Sequence, residues 1–289
     1  MKKFRLKKEY QRMKISQYLR EVQNYSGRSL RNVEVFLNGK KVRTTKKLPS
    51  SGILRVIEKE KGTDIKPIKL NLDIVFEDED ILIVNKEPFL LTHPTQKKAD
   101  FTLANGIVYY FKEKYGKEMV PRFYNRLDMN TSGLIIIAKN SFAQAFLQNF
   151  SIFEKKYMAI VEGIIDSDEK IVIEKPIYRD GDNLQRIIDE RGQYAKTVIK
   201  PIKKFKDKNV TLAECELFTG RTHQIRVHLK SIGHTIVGDE LYGKGIDIEK
   251  GVKRQFLHAY RVKFTHPAAK KEMEMEIPLA EDMKEFLEK

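Results

Sequence analysis

Residues 125–133 of this chain read Asn-Arg-Leu-Asp-Met-Asn-Thr-Ser-Gly and lead directly into residues 134–138, Leu-Ile-Ile-Ile-Ala. The apolar run is short and is bounded by residues typical of turns, which predicts a buried strand. The polar segment before it predicts a loop at the mouth of a rigid sheet, where functional groups concentrate. Asp128 and Arg126 are its candidate functional side chains. The alternative is a tight turn that carries a surface ion pair.

Three small residues close this loop. We expect the hydroxyls of Thr131 and Ser132 to bond back to the loop backbone. Gly133 would let the chain turn sharply into the strand.

The rest of the long C-terminal part mixes strands and helices without a regular βαβ rhythm. Strands follow strands, and helices stand between only some of them, which indicates an α+β fold with a mixed, largely antiparallel sheet. Strands are predicted at residues 74–76, 81–84, 134–138, 155–163, 171–177, 194–202, 210–218, 256–264 and 273–277. Helices are predicted at residues 102–115, 141–150, 222–232 and 280–288.

Charge divides the chain into two units. Residues 1–66 hold 19 Lys and Arg against 6 Asp and Glu, whereas residues 67–289 hold 36 against 34. The front unit is therefore expected to bind a polyanion, whereas the rest of the chain is nearly neutral. Nucleic acid is the expected polyanion. An anionic membrane surface is the weaker rival, because no long helix combines a broad apolar face with a basic one.

The front unit has the signals of a small domain of helices and strands. Residues 15–22 predict a helix, a second short helix opens at Ser26 or Ser29, and residues 33–42 predict a hairpin around an Asn-Gly turn. Residues 53–57 predict a last strand, and residues 61–67 a polar linker. The Ser-Gly-Arg-Ser helix start and the Val-Phe-Leu-Asn-Gly-Lys hairpin resemble the RNA-binding module named after ribosomal protein S-four. A Gly-Asp pair usual in that module is absent, and a generic basic αβ domain is the alternative.

Composition excludes several classes of protein. The single cysteine, Cys215, allows no internal disulfide and no multi-cysteine metal site, and it has the setting of a structural thiol. The basic start is not followed by the apolar run of a signal peptide, and no stretch approaches the roughly 20 apolar residues of a membrane span. We expect a cytoplasmic protein that does not bind membranes.

The loop at residues 126–133 fits a known signature, Arg-Leu-Asp-x-x-Thr-Ser-Gly. It resembles that of the RluA-type bacterial ribosomal and transfer RNA pseudouridine synthases. Four further segments resemble motifs of that family in the same order: residues 77–88, 156–163, 219–228, and 233–239 with 257–259. The resemblance covers roughly residues 72–278 and implies a catalytic domain at 67–289 behind a basic RNA-binding module at 1–66. One departure is Asn125, where the family commonly has His.

The resemblance implies an isomerase that converts uridine to pseudouridine in RNA. The reaction has no redox step and adds nothing, so we expect no cofactor and no metal. Asp128 would be the catalytic carboxylate, either as nucleophile or as base. It must be ionised, which a cation within about 4–6 Å favours, and the resemblance assigns that cation to Arg226. Tyr157 would pack on the target base and Arg126 would fill the space of the flipped nucleotide. Leu257 would close the apolar side of the pocket.

Other interpretations remain open. Arg226 could be a phosphate contact, and Tyr157 could be a half-buried strand aromatic. A non-catalytic RNA-binding or ribosome-assembly factor could use the same fold, and a DNA-binding protein would need a motif that we do not find. His223 and His228 are five residues apart, which does not align two metal ligands on one helical face. We expect structured RNA as the partner, with large-subunit rRNA favoured over tRNA, no obligate protein partner, and a monomer.

Overall fold

The computed structural model describes residues 1–59, 62–94 and 101–289, apart from the side chain of Arg28. The strands in chain order are β1 Lys2–Leu6, β2 Val33–Leu37, β3 Lys40–Val42, β4 Gly52–Glu58, β5 Asp73–Glu77, β6 Ile81–Lys86, β7 Arg122–Phe123, β8 Ser132–Ala138, β9 Phe153–Glu162, β10 Ile171–Glu174, β11 Ile177–Arg179, β12 Arg186–Ile188, β13 Lys196–Phe205, β14 Val210–Leu217, β15 Leu257–Thr265 and β16 Glu272–Glu276. The helices are α1 Ile15–Glu21, α2 Gly27–Leu30, α3 Leu103–Tyr115, α4 Ser141–Phe150, α5 Gln224–Lys230 and α6 Glu281–Glu288.

The front unit is a four-stranded antiparallel sheet in the order β1-β4-β2-β3. One face of the sheet is covered, since Leu54 and Val56 of β4 are buried in one core with Ile15 and Leu19 of α1. Both helices and the hairpin agree with the sequence prediction. Strand β1 was not predicted, although its apolar residues Phe4 and Leu6 alternate with basic ones.

The large sheet has the order β10-β13-β14-β9-β15-β8-β6-β5, with β16 added beside β15 and β7 beside β8. Strands β8 and β15 run parallel, and the other pairs within the sheet are antiparallel. The predicted α+β class with a mixed, largely antiparallel sheet is confirmed. Every residue of β8 is buried, because both faces of the strand are covered: Ile135 and Ile137 pack in one hydrophobic cluster, and Leu134, Ile136 and Ala138 pack in another.

The strand predicted at residues 171–177 is wrong in its extent. Strand β10 ends at Glu174, and the chain resumes as β11, which pairs with β12 in a separate two-stranded ribbon. Pro176 lies at the break, and proline has no amide hydrogen to donate to a ladder. The predicted linker begins at Lys61, which lies outside the described residues; from residue 62 to residue 72 the chain forms no helix or strand.

The two sheets meet beyond the C-terminal end of β8. Lys2 lies 2.6 Å from the carboxylate of Asp80, the amide of Ser141 donates to Glu58 (2.9 Å), and the rings of Tyr25 and Phe142 are 4.7 Å apart. This junction lies at the opposite end of β8 from the loop at residues 125–131. Among the described residues, no helix is both long and apolar enough to cross a bilayer.

Candidate active site

Asn125 fixes the start of the candidate loop. Its amide nitrogen donates to the carbonyl of Leu134 (3.0 Å), and its amide oxygen accepts from the backbone of Ile136 (2.9 Å). The side chain thus acts as an extra strand partner for β8. Asn125, which stands where the family motif commonly has histidine, is therefore a buried residue that holds the loop against β8.

Gly133 ends the loop at a position where the backbone of β15 leaves no space for a side chain on β8. Its φ is +117°, and a Cβ at this position would lie 2.3 Å from the backbone oxygen of Ala259 in β15. Strands β8 and β15 pair in parallel at this point, so only glycine fits. The predicted bonds from Thr131 and Ser132 to the loop backbone are wrong. Ser132 instead pairs with His258 Nδ1 (2.9 Å), and Thr131 Oγ1 accepts from Gln255 (3.4 Å).

Two buried cations hold the middle of the loop through its carbonyl groups. Lys86, 1% exposed, donates to the carbonyls of Glu87, Leu90 and Met129 at 2.8, 2.9 and 3.0 Å. Burial lowers the pKa of Lys86 to about 7, and the charge of Arg254 acts in the same direction. Arg254, also fully buried, donates to the carbonyl of Asn130 (3.2 Å) and forms two hydrogen bonds to Asp282 at the start of α6.

Asp128 shares one arginine with a second carboxylate. Arg226 on α5 donates from Nη1 to Asp128 Oδ2 (3.1 Å), and from Nε and Nη2 to both oxygens of Asp239 (2.7 and 2.8 Å). The Asp128 side chain is 32% exposed and that of Asp239 is fully buried. Burial opposes the charge of Arg226, but the hydrogen bonds and charges of Asp239 and Asp128 raise its pKa above the usual value. Arg226 is therefore a fixed cation that faces a partly open carboxylate.

Tyr242 and His223 pack beside the Asp128–Arg226 pair. The guanidinium of Arg226 lies over the ring of Tyr242, 4.9 Å from its centroid. The Tyr242 hydroxyl accepts from the amide of Arg186 (2.6 Å) and contacts His223 Nδ1 (2.8 Å). If the buried hydroxyl donates to Nδ1, the proton of a neutral His223 is on Nε2, which lies 3.8 Å from Asp128. Burial lowers the pKa of His223, so that the neutral form is favoured.

The five site residues predicted from the sequence line one cavity of about 1080 Å³: Asp128, Arg126, Tyr157, Arg226 and Leu257. Tyr157 on β9 is 6% exposed, and burial together with the charge of Asp128 raises the pKa of its hydroxyl, which stays protonated. Leu257 begins β15 and is buried, whereas Arg126 is exposed at the cavity rim. The arrangement brings a carboxylate, a cation, a neutral aromatic and an apolar wall together in a cleft large enough for a nucleotide.

His228 and Cys215, which were considered as metal ligands, lie in the core. His228 is fully buried between the Thr197 hydroxyl (2.8 Å) and the Lys175 carbonyl (3.0 Å), and Cys215 is buried in β14, where burial raises its pKa. In the part of the chain that the structure describes, no group of three or more His, Cys, Asp or Glu side chains could hold a metal ion.

Comparison with known proteins decides the family. The sequence profile of the family described as RNA pseudouridylate synthase matches residues 80–231. The chain is 37% identical over 264 residues to the uncharacterized RNA pseudouridine synthase YlyB of Bacillus subtilis (strain 168), covering 88% of this chain and 85% of that one. The chain belongs to the RNA pseudouridine synthase family. As a pseudouridine synthase it is an isomerase that acts on RNA.

Two further proteins are similar to this pseudouridine synthase, one in sequence and one in structure. The ribosomal large subunit pseudouridine synthase D of Zymomonas mobilis subsp. mobilis (strain ATCC 31821 / ZM4 / CP4) is 36% identical over 234 residues, covering 75% of this chain and 72% of that one. The solved structure titled Human RNA Pseudouridylate Synthase Domain Containing 1 aligns with a TM-score of 0.58 at 27% identity, over 76% of this chain and 86% of that one.

Sequence reasoning missed the supporting residues of the pseudouridine synthase site. Asp239 and Lys86 each lay within a segment that resembles a family motif but had no predicted role, and the Arg254–Asp282 pair was not predicted. Lys86 had a visible signal, because a lysine at the end of the apolar strand β6 needs buried acceptors. The Arg254–Asp282 pair had none, since each residue alone resembles an ordinary surface charge.

Proposed function

We propose that this pseudouridine synthase isomerises specific uridines in large-subunit rRNA with Asp128 as its catalytic carboxylate. The observation that carries the proposal is the Asp128–Arg226–Asp239 arrangement, in which the open carboxylate lies in the cleft and the buried one holds the arginine. The choice of large-subunit rRNA is supported by the printed name of the Zymomonas relative and by the basic front unit.

The reaction breaks the bond between ribose carbon 1 and uracil nitrogen 1 and makes a bond from ribose carbon 1 to uracil carbon 5. The proton on carbon 5 is lost and nitrogen 1 gains one, so that atoms and electrons balance. Asp128 acts on the ribose, either as nucleophile at carbon 1 or as base on the sugar. Arg226 orients the carboxylate through its 3.1 Å hydrogen bond.

The remaining candidates bind the target nucleotide. The uridine has to leave its stack to reach Asp128, at a cost of a few kcal/mol. Tyr157 offers a ring for the uracil to pack against, Leu257 offers an apolar wall, and Arg126 at the rim is positioned to occupy the space that the nucleotide vacates. Enclosed between Tyr157 and Leu257, the detached uracil would stay close enough to turn and rejoin.

The test is Asp128→Asn in the full-length protein, with Asp166→Asn on the exposed surface as the matched control. We expect Asp128→Asn to fold normally and to lose all release of tritium from RNA labelled at uracil carbon 5, whereas the control keeps it. Activity of a tenth of wild type or more in the Asp128 variant would refute the assignment. A wild-type protein that binds RNA without any release would indicate a non-catalytic assembly factor.

The substrate is tested by mapping pseudouridines in cells that lack this protein. We expect loss at one or more positions of large-subunit rRNA, restored by the wild-type gene and not by Asp128→Asn. Loss confined to tRNA would refute the choice of substrate and leave the catalytic assignment intact.

A further inference from the structure

The outer face of the front sheet carries basic side chains in register. In the pairing of β1, β4, β2 and β3, Lys3 lies opposite Arg55, Arg55 opposite Phe36, and Phe36 opposite Lys41. In the next row, Arg5 lies opposite Ile53. Directly paired side chains are about 5 Å apart at Cβ, so these residues form one continuous surface. We call it the outer face; it consists of Lys3, Arg5, Glu34, Phe36, Lys41, Ile53, Arg55 and Ile57.

This face also exposes apolar side chains. Ile53 is 45% exposed and Ile57 is 37% exposed, one on each side of Arg55 along β4. Within the described residues 1–59, Met1 is the only other large hydrophobic residue with comparable exposure. The opposite face of the same strand is buried, because Leu54 and Val56 point into the core. Exposed isoleucines grouped on one surface indicate a binding site more often than isolated ones do.

Three cations of the outer face are not engaged by carboxylates. Glu34 is the only acid of the face, and it lies 2.7 Å from Lys41 and 3.1 Å from Lys59. Within the described part of the chain, no carboxylate lies within 4.0 Å of the charged groups of Lys3, Arg5 or Arg55. These three charges are therefore available to an external anion.

We propose that the outer face is a docking surface for RNA, with phosphates bound by Lys3, Arg5 and Arg55 and with sugars or bases packed on Ile53 and Ile57. The inference rests on the proposed function in one respect, namely that the substrate is RNA. RNA is the occupant that fits, because a nucleic acid strand presents anionic phosphates beside apolar base faces.

The outer face belongs to a unit that is anchored away from the cleft. The junction between the sheets, at Asp80 and Ser141, lies beyond the C-terminal end of β8, whereas Asp128 lies before its N-terminal end. Strand β8 has seven residues, so the junction is roughly 20 Å from the catalytic loop at about 3.3 Å per residue. An RNA that reaches both places extends well beyond the flipped nucleotide, which favours a large structured substrate over an isolated hairpin.

The test compares two triple variants of the full-length protein with equal charge. The face variant is Lys3→Gln, Arg5→Gln and Arg55→Gln. The control variant is Lys14→Gln, Arg20→Gln and Arg31→Gln, three exposed cations at the helical side of the same unit. Affinity for a transcript of a large-subunit rRNA domain is measured across a potassium chloride series, and thermal unfolding checks that both variants are folded.

Removal of three phosphate contacts should lower the slope of log affinity against log salt by about 2 to 3 in the face variant, at about 0.7 to 0.9 per contact. We expect its KM for the transcript to rise about tenfold or more, with a much smaller effect on kcat. The control variant should stay within about twofold of wild type in affinity. A further variant, Ile53→Ser with Ile57→Ser, should weaken binding without changing the slope, because it removes apolar contacts alone.

Two outcomes would overturn the inference. Equal losses in both triple variants would mean that RNA responds only to the overall charge of the unit. Loss of binding to vesicles that contain phosphatidylserine, with RNA affinity unchanged, would make the outer face a membrane-facing surface. Failure of the proposed function is a separate result, since it would appear as absent turnover in the wild-type protein whatever the salt slope.

Discussion

Substitution of Asp239 by Asn should distinguish its structural role from the catalytic role that we propose for Asp128. Asp239 is fully buried, and its carboxylate accepts four hydrogen bonds: from Nε and Nη2 of Arg226 (2.7 and 2.8 Å) and from the amides of Leu241 and Tyr242 (2.9 and 3.0 Å). An asparagine has one acceptor oxygen, so its NH₂ group must face one of these donors. The change also leaves the buried charge of Arg226 without its main partner.

The expected cost follows from this burial. Removal of one partner of a buried ion pair typically costs 3–5 kcal/mol, so we expect a loss of about that size. For a domain of this size, 1 kcal/mol corresponds to roughly 2–4 °C, which gives a fall in Tm of roughly 6–20 °C. By contrast, Asp128→Asn removes one hydrogen bond from a carboxylate that is 32% exposed, and Arg226 keeps Asp239. We expect it to change stability by less than about 1 kcal/mol.

The Tm of both variants is measured by thermal unfolding monitored by circular dichroism, and turnover is measured well below either Tm. Folded Asp239→Asn should have a kcat lower by on the order of a hundredfold, because Arg226 would no longer be held in place beside Asp128. Asp128→Asn should be inactive at a nearly wild-type Tm. A Tm of Asp239→Asn within about 2 °C of wild type, or equal falls in Tm for the two variants, would contradict the division of roles.

Three other predictions follow from the site. Arg226→Gln should lower kcat far more than RNA affinity; weaker binding with normal turnover at saturating RNA would instead identify Arg226 as a phosphate contact. His258 is buried between Ser132 and the carbonyl of Pro278, and burial lowers its pKa to about 4. Since its unfolded pKa is about 6.5, the unfolded chain binds the extra proton first, and roughly 3 kcal/mol of stability should be lost as the pH falls from about 6.5 to 4. His258→Gln should flatten that decline in Tm, and parallel curves for the two proteins would exclude His258 as its cause. Activity should survive treatment with a zinc-selective chelator while magnesium is kept constant to fold the RNA; a loss that zinc restores would overturn the metal-free chemistry.

Local patterns were enough to predict the loop and its strand. Residues 134–138 are uniformly apolar, and the structure buries all of them in β8. The alternation in Met273 and Met275 likewise predicted β16. Strand β1 was not predicted, because its lysines and arginine are typical of an exposed charged segment, although Phe4 and Leu6 alternate with them in the way that a strand requires.

Contacts between distant residues could not be predicted in this way. The pairing of β8 with β15 joins residues 126 positions apart, and together with the positive φ of Gly133 it explains why that position tolerates no side chain. The roles of Arg226 and Tyr157 came from the family resemblance and remain predictions about function. The division into units at residues 1–66 and 67–289 also remains a prediction. Because Tyr25 contacts Phe142, removal of residues 1–66 would expose the ring of Phe142.

Three consecutive residues of the loop that carries Asp128 are each held by a different buried basic side chain. Arg226 bonds the carboxylate of Asp128, and the carbonyl groups of residues 129 and 130 accept from Lys86 and Arg254. Asp239 and Asp282 balance the two arginines, and Lys86 is satisfied by three carbonyl groups. A loop fixed in this way holds the Asp128 carboxylate in place before a substrate arrives, so that binding does not have to order it. The carboxylate is 32% exposed and therefore accessible to the ribose on which we propose that it acts.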